Sequence, residues 1–256
     1  MAQSGRIEGA VAIVTAAGQG LGEAISKTFA REGATVALVD INLAEATRVG
    51  AEIEAAGGRA LVLQTDVTDA AAVANMVKTV VERFGTVDIL VNAAGGFTKF
   101  APITEIAEEE WDRVIKLNLK SAFLCTREAV KVMMEKRKGR IINIASGAGV
   151  GPRSHAPSYI PYGAAKAGLI GFGKLLARDI GEYNITVNTV TPGTTLTPRV
   201  RKVRDAASIE KIKMQNPMRS LVEPEDTAEA VLFLVSSSAR YITGVNLNVS
   251  AGNLIV

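Results

Sequence analysis

Tyr162 and Lys166 stand four residues apart, a spacing that puts two side chains on one face of a helix about one turn apart. A phenol loses its proton near pH 10, so acid–base work near neutrality needs that value lowered by several units, each about 1.4 kcal/mol. A neighbouring ammonium favours the phenolate, as does any other positive charge at the site. Alone, such a pair reads as well as a surface Tyr beside a solvated Lys. Ser146 closes the run Ile-Asn-Ile-Ala-Ser and can donate a hydrogen bond to an oxygen that gains charge in a transition state. It reads as a polariser, not a nucleophile, because no His/Asp pair supports acyl chemistry and the one histidine, His155, falls in a loop pattern. Asn118 lies in the helical pattern Val114–Phe123. Asn is mildly unfavourable in a helix interior, so a buried structural Asn and a functional one both stay open.

A second cluster points to phosphate. Thr15-Ala16-Ala17-Gly18-Gln19-Gly20-Leu21-Gly22 follows an apolar run and precedes a helical pattern. Glycines admit close backbone approach to a pyrophosphate, and a helix N-terminus supplies free N–H groups with partial positive charge. Asp40 ends the next apolar run, about 20 residues on, where a carboxylate can accept hydrogen bonds from both hydroxyls of an adenosine ribose. It would repel a 2′-phosphate, whose recognition calls for Arg or Lys. Gln19, Ile41 and Asn42 beside it are not basic, so the sequence favours NAD over NADP.

The elements that must position these residues alternate. Short β-branched runs, Val11–Thr15, Thr35–Asp40, Ala60–Gln64, Ile89–Asn92, Arg140–Ala145, Thr186–Val190 and Asn246–Val249, read as strands buried on both faces of a parallel sheet. Leu21–Arg31 and Val73–Phe84 repeat apolar residues at helical spacing, with Gly33 and Gly85 as C-terminal stops. Pro224 opens the helix Pro224–Val235, and Glu108 to Lys138 holds one long helix or two. The expected fold class is α/β: a single-domain doubly wound parallel sheet of about seven strands with helices on both faces. Nothing divides residues 1–256. Thr194–Pro217 is polar, rich in Arg and Lys, and reads as a lid or substrate loop.

Composition closes off other classes. The chain has 256 residues, 48% hydrophobic and 21% charged, enough to bury roughly 70–75% of its unfolded surface. Cys125 and His155 are single representatives of their types, which argues against disulfide scaffolds and His/Cys metal sites, so no metal is expected. No apolar run approaches the ~20 residues of a membrane span, and MAQSGRIEG lacks a signal-peptide pattern. A formal charge of +3 is weak for nucleic acid. The expectation is a soluble cytoplasmic protein with no nucleic-acid or membrane partner.

Taken in order, these motifs resemble the short-chain dehydrogenase/reductase family along essentially the whole chain. The family's Thr-Gly-x-x-x-Gly-x-Gly matches at Thr15, Gly20 and Gly22, with Ala16 in place of the first glycine. Asp66-Val67 looks like its adenine-contacting pair, and Asn92-Ala93-Ala94-Gly95 like its Asn-Asn-Ala-Gly element with Ala93 in place of the second Asn. Asn118 falls at its relay Asn, Ser146 at its serine, and Tyr162-Gly-Ala-Ala-Lys166 at its Tyr-x-x-x-Lys. Pro192-Gly193 follows the sixth strand, and Thr197 matches a Thr that holds the nicotinamide carboxamide. The separation 162 − 146 = 16 is a few residues longer than usual, with the excess around Pro152–Pro161, near His155 and Tyr159.

The resemblance implies a Rossmann-type fold and an NAD-dependent oxidoreductase interconverting a secondary alcohol, a hydroxyacyl thioester or a cyclic alcohol, with a ketone. Tyr162 takes the hydroxyl proton as hydride leaves for the nicotinamide, and Lys166 lowers the Tyr162 pKa and binds the nicotinamide ribose. It also implies a homotetramer, with the apolar end Ile242–Val256 suited to an interface. Two alternatives stand: a 3-oxoacyl-[acyl-carrier-protein] reductase-like enzyme, for which Lys136-Arg137-Lys138 is in place but Tyr183 occupies a second basic site, and a non-catalytic NAD-binding regulator. Arg199, Arg201, Lys202, Arg204, Lys211 and Lys213, opposed by Asp205 and Glu210, are either a solvated helix face or a site for an anionic small-molecule substrate.

Overall fold

A computed structural model describes residues 5–96, 101–151, 160–203 and 205–255, with backbone alone at 199, 202 and 203. Seven strands, β1 (Val11–Thr15), β2 (Thr35–Asp40), β3 (Arg59–Gln64), β4 (Ile89–Asn92), β5 (Gly139–Ile144), β6 (Ile185–Pro192) and β7 (Asn246–Val249), form one sheet in the order β3-β2-β1-β4-β5-β6-β7. Every neighbouring pair is parallel. The helices are α1 (Gly20–Arg31), α2 (Leu43–Ala55), α3 (Ala70–Phe84), α4 (Glu108–Ile115), α5 (Ser121–Lys136), α6 (Ile160–Asp179), α7 (Pro198–Val203), α8 (Ala206–Gln215) and α9 (Pro224–Val235).

Strand periodicity divides the core between the two faces of the sheet. Ala12 and Val14 of β1, with Val36, Leu38, Val91, Ile142 and Ile144, pack under α1, α2 and α9 through Ile25, Phe29, Val49, Ile53, Val231 and Leu232. Val11 and Ile13 turn the other way. With Ala37, Val39, Leu90 and Ile141 they meet Met76 and Val80 of α3 and Leu124 and Met133 of α5. The continuous apolar runs therefore are strands buried on both faces, as their composition predicts.

Helix ends follow local chemistry. Beyond α1, Gly33 takes φ +88°, and the N–H groups of Gly33 and Ala34 reach back to Ala30 O and Phe29 O, both at 3.1 Å, the paired closure of a Schellman end. Gly85 closes α3 at φ +77°. The Glu108–Lys138 stretch is neither one α-helix nor two separated ones: α4 passes into α5 through a π-helical segment, Lys116–Lys120. The expected lid loop contains two short helices, α7 and α8, and α8 buries none of its side chains. Half-buried Ile209 and Ile212 are its apolar face, too short a period to mark a helix in the sequence.

Phe29 is fully buried between α1, the sheet and α9. Truncating a buried Phe costs about 3–5 kcal/mol. Phe29→Ala is expected to lower the thermal midpoint by roughly 6–15 °C for a domain of this size, read by circular dichroism.

Candidate active site

Strand order reverses at β1, which has β2 on one side and β4 on the other. That divergence opens a crevice at the carboxyl ends of the strands, where open α/β sheets bind ligands. Thr15, Asp40, Asn92 and Pro192 each end a strand at that rim, and Ser146 follows β5. The Thr15 hydroxyl accepts from the N–H groups of Ala93 and Ala94, both at 3.0 Å, and donates to Val91 O at 3.3 Å. It thus ties β1 to β4 beneath the crevice. The Asn92 amide donates to Thr126 Oγ1 (3.0 Å) and Asn143 Oδ1 (2.9 Å), so its side chain works within the buried sheet.

The glycine loop turns from β1 into α1. Gln19 precedes the helix in extended conformation and gives no capping side-chain bond, so the first-turn N–H groups are not claimed by a side chain and suit an anion. A Cβ on Gly22 would sit 2.1 Å from Ala16 O, and one on Gly20, at φ +60°, 3.3 Å from Thr197 Cγ2. The first contact makes glycine obligatory for the turn, and the second lays the start of the lid across the loop. Leu21 is half-buried against the core. Ala16 stands at φ +52°, a left-handed conformation that costs a non-glycine residue about 1–2 kcal/mol. The departure from the family pattern therefore places an alanine where glycine fits best. These features, a cradle without Cβ atoms and an uncapped helix start, fit a dinucleotide pyrophosphate.

Asp40 is already engaged on its protein side. Its Oδ2 accepts from Gly18 N and its Oδ1 from Asn42 N, each at 2.9 Å, and each oxygen keeps a lone pair for a further donor. Ile41 beside it is 66% exposed. Asp66 is exposed and accepts from Thr68 N at 2.8 Å, whereas Val67 is buried in the core. The sequence reading found no cation near this loop. The fold brings one: Arg48, on α2, donates to Gly18 O at 3.0 Å. The contact spans 30 residues, so local spacing carries no sign of it.

The second cluster is built on α6, which carries Tyr162 and Lys166. The turn after β5 rests on that helix through glycines. A Cβ on Gly149 would lie 2.5 Å from Lys166 C, and one on Gly163 3.0 Å from Ala148 O. The turn that half-buried Ser146 opens, its Oγ accepting from Ala148 N at 3.3 Å, is thus seated on the part of α6 that carries Gly163 and Lys166. Lys166 is 3% exposed; its Nζ donates to Ile144 O at 2.8 Å and lies 5.7 Å from the Tyr162 ring centroid.

Asn118 occupies the π segment. There Ser121 N reaches Lys116 O, five residues back, and the Ser121 hydroxyl takes Leu117 O. The fully buried Asn118 amide accepts from Gly96 N and donates to Gly96 O and Val114 O, each at 2.8 Å. A Cβ on Gly95 would meet Asn118 Oδ1 at 2.6 Å and Lys166 Nζ at 3.0 Å. Asn118 and Lys166 thus converge at Gly95. Pro192 ends β6 opposite Val249, and Gly193 N donates to Val249 O at 2.8 Å. His155 and Tyr159 lie outside the described residues, as do the side chains of Arg199, Lys202 and Arg204. Of the remaining lid cations, Arg201 and Lys211 are exposed, and Lys213 pairs with Glu210 at 3.3 Å.

A family model described as enoyl-(acyl carrier protein) reductase matches residues 15–253. The 3-oxoacyl-[acyl-carrier-protein] reductase FabG of Thermotoga maritima is 36% identical over 250 residues, 98% of this chain and 100% of that one. The (3R)-3-hydroxyacyl-CoA dehydrogenase of Canis lupus familiaris is 38% identical over 98% of this chain and 99% of its own. A solved 7α-hydroxysteroid dehydrogenase, complexed with NADH and 7-oxo glycochenodeoxycholic acid, superposes with a TM-score of 0.91 at 34% identity, covering 96% of this chain and 95% of that one. Fold and site define a dinucleotide-binding oxidoreductase. The chain belongs to the short-chain dehydrogenase/reductase family. No helix among the described residues is long and apolar enough to cross a membrane.

Burial lowers the Lys166 pKa from 10.5 to about 8. At pH 7 the side chain is still mostly ammonium, by about ten to one. Between pH 8 and 10.5 the unfolded chain binds more protons than the folded one, so stability rises with pH across that window. Denaturant titrations of the apo protein at pH 8 and pH 10 are expected to show this rise, and Lys166→Met to remove it.

Proposed function

We propose that this protein is an NAD-linked dehydrogenase of a secondary alcohol, with a hydroxyacyl thioester as its favoured substrate class and a cyclic alcohol as the alternative. The observation that carries the reading is the buried Lys166 ammonium, anchored on Ile144 O beside the Tyr162 ring. The likeness to a hydroxyacyl-CoA dehydrogenase supports the substrate class. Asp40 and the NADH complex of a structural neighbour support NAD. The 3-oxoacyl reductase reading is compatible with the same site. A non-catalytic regulator has less support, because Asn118, Ser146, Tyr162 and Lys166 are all retained.

On this reading Gly18, Gln19, Gly20, Leu21 and Gly22 face the pyrophosphate. Asp40 and Ile41 face the adenosine ribose, Asp66 and Val67 the adenine. Asn92, Ala93, Ala94 and Gly95, with Thr15 beneath, shape the crevice floor, and Pro192, Gly193 and Thr197 border the nicotinamide. The bound nicotinamide supplies the hydride-accepting carbon and, when oxidised, a positive charge. Ser146 donates to the substrate oxygen. Tyr162 takes the hydroxyl proton, a transfer the nearby ammonium favours by stabilising phenolate. Lys166 also reaches the nicotinamide ribose, and Asn118 fixes the Gly96 backbone beside it.

The protein acts without metal, on a small molecule, as a cytoplasmic homotetramer. Exposed Tyr241, Val245 and Ile255, flanking the edge strand β7, support an interface at that end. Sedimentation is expected to give four chains; a monomer contradicts this. Removing a general acid–base costs typically 10²–10⁴-fold. Tyr162→Phe is expected to lower kcat by at least a hundredfold on a panel of secondary alcohols while NADH affinity, by fluorescence titration, stays within threefold. Undiminished turnover sinks the mechanism.

A further inference from the structure

The Arg48 guanidinium is saturated. It has five N–H donors and makes five hydrogen bonds. Nε donates to Glu45 (3.1 Å), Nη1 to Glu23 (3.1 Å) and Glu52 (2.8 Å), and Nη2 to Glu23 (3.0 Å) and Gly18 O (3.0 Å). Lys27 braces the cage by pairing with Glu23 at 2.6 Å and Glu52 at 2.5 Å. Three carboxylates against two cations leave a net −1, to which Asp40 adds another.

This cage sits at the adenosine side of the glycine loop. Gly18 is held by its N–H on Asp40 Oδ2 and by its carbonyl on Arg48. A Cβ on Gly18 would lie 2.8 Å from Glu45 Cβ, so the first turn of α2 abuts it. The group that faces the ribose hydroxyls and the group best shaped to hold a phosphate are therefore joined through one residue. Arg binds phosphate through forked N–H pairs, but here four of the N–H groups are taken by carboxylates and the fifth by the Gly18 carbonyl.

We infer that the Glu23–Glu45–Glu52 cage is a cofactor-specificity device: it occupies Arg48, the guanidinium that reaches the glycine loop, and so excludes NADP together with Asp40. This rests on the NAD reading above and extends it from a single repelling carboxylate to a neutralised cation. Burial works against the charged form of Glu23, but the bonds from Arg48 and Lys27 outweigh it and hold its carboxyl below the ordinary value. Glu45 and Glu52 are 46% exposed, and exposed pairs contribute little to stability, so the cage can be opened without unfolding the protein.

The test is calorimetric binding of NAD⁺, NADP⁺, 5′-ADP and 2′,5′-ADP. The wild type is expected to bind NAD⁺ at least tenfold more tightly than NADP⁺. In an Asp40→Ser background, Glu23→Gln/Glu45→Gln/Glu52→Gln is expected to raise the affinity for 2′,5′-ADP over 5′-ADP by about tenfold more. That gain disappears when Arg48→Gln is added and shrinks between 50 and 500 mM salt, as a phosphate contact must. If the triple variant does not fold, Glu45→Gln/Glu52→Gln carries the same comparison. No gain, or a gain that survives without Arg48, overturns the proposal. A wild type preferring NADP⁺ overturns the NAD reading instead, while the variant series still decides the role of the cage.

Discussion

The proposed catalytic half of this structure depends on one desolvated cation. Lys166 reaches its place from α6 and donates a hydrogen bond to Ile144 O, and burial pulls its pKa toward neutrality. Desolvation weakens the hold on the proton. It also removes the water that would screen the ammonium from the Tyr162 phenol, so each unit of its charge acts more strongly there. The same burial that destabilises the charged form therefore makes it an effective neighbour.

Everything around that cation is arranged by close approach. Gly95 lets Asn118 and Lys166 converge; Gly149 and Gly163 let the Ser146 turn sit on α6; Gly22 lets α1 start against the loop. At each, a methyl group would meet a neighbouring atom at 3.0 Å or less. The π segment has the same purpose at Asn118. The wide turn shifts the register of the helix so that the amide clasps Gly96 from within the run α4–α5. Two tethers, Thr15 between β1 and β4 and Arg48 between α2 and the glycine loop, hold the dinucleotide end.

Much of this was legible where the signal is local. β1, β2, β4 and β7 read directly as apolar runs with the bounds they have in the fold. β3, β5 and β6 begin one residue earlier than read, at Arg59, Gly139 and Ile185, while β5 stops at Ile144 instead of Ala145 and β6 runs on to Pro192, because strand ends are set by pairing with the neighbouring strand and not by side-chain type. Asn118 was legible as an anomaly in a helix, but the π turn that explains it depends on which carbonyl each N–H selects. Ala16 was legible as a misfit, and its φ of +52° gives the misfit its physical content. α8 escaped because its half-buried Ile209 and Ile212 make too short an apolar period to mark a helix. Arg48 escaped because a carbonyl 30 residues away has no imprint on neighbouring positions.

The central claim, that the buried ammonium makes one phenol acidic, is open to direct observation. The chain has four tyrosines, and tyrosinate absorbs near 295 nm. Ultraviolet difference titration of the complex with oxidised dinucleotide is expected to show one phenol ionising at least two pH units below the rest, and Lys166→Met to return it to the ordinary range near 10. A titration with no early phenol, or one unmoved by loss of Lys166, contradicts the account.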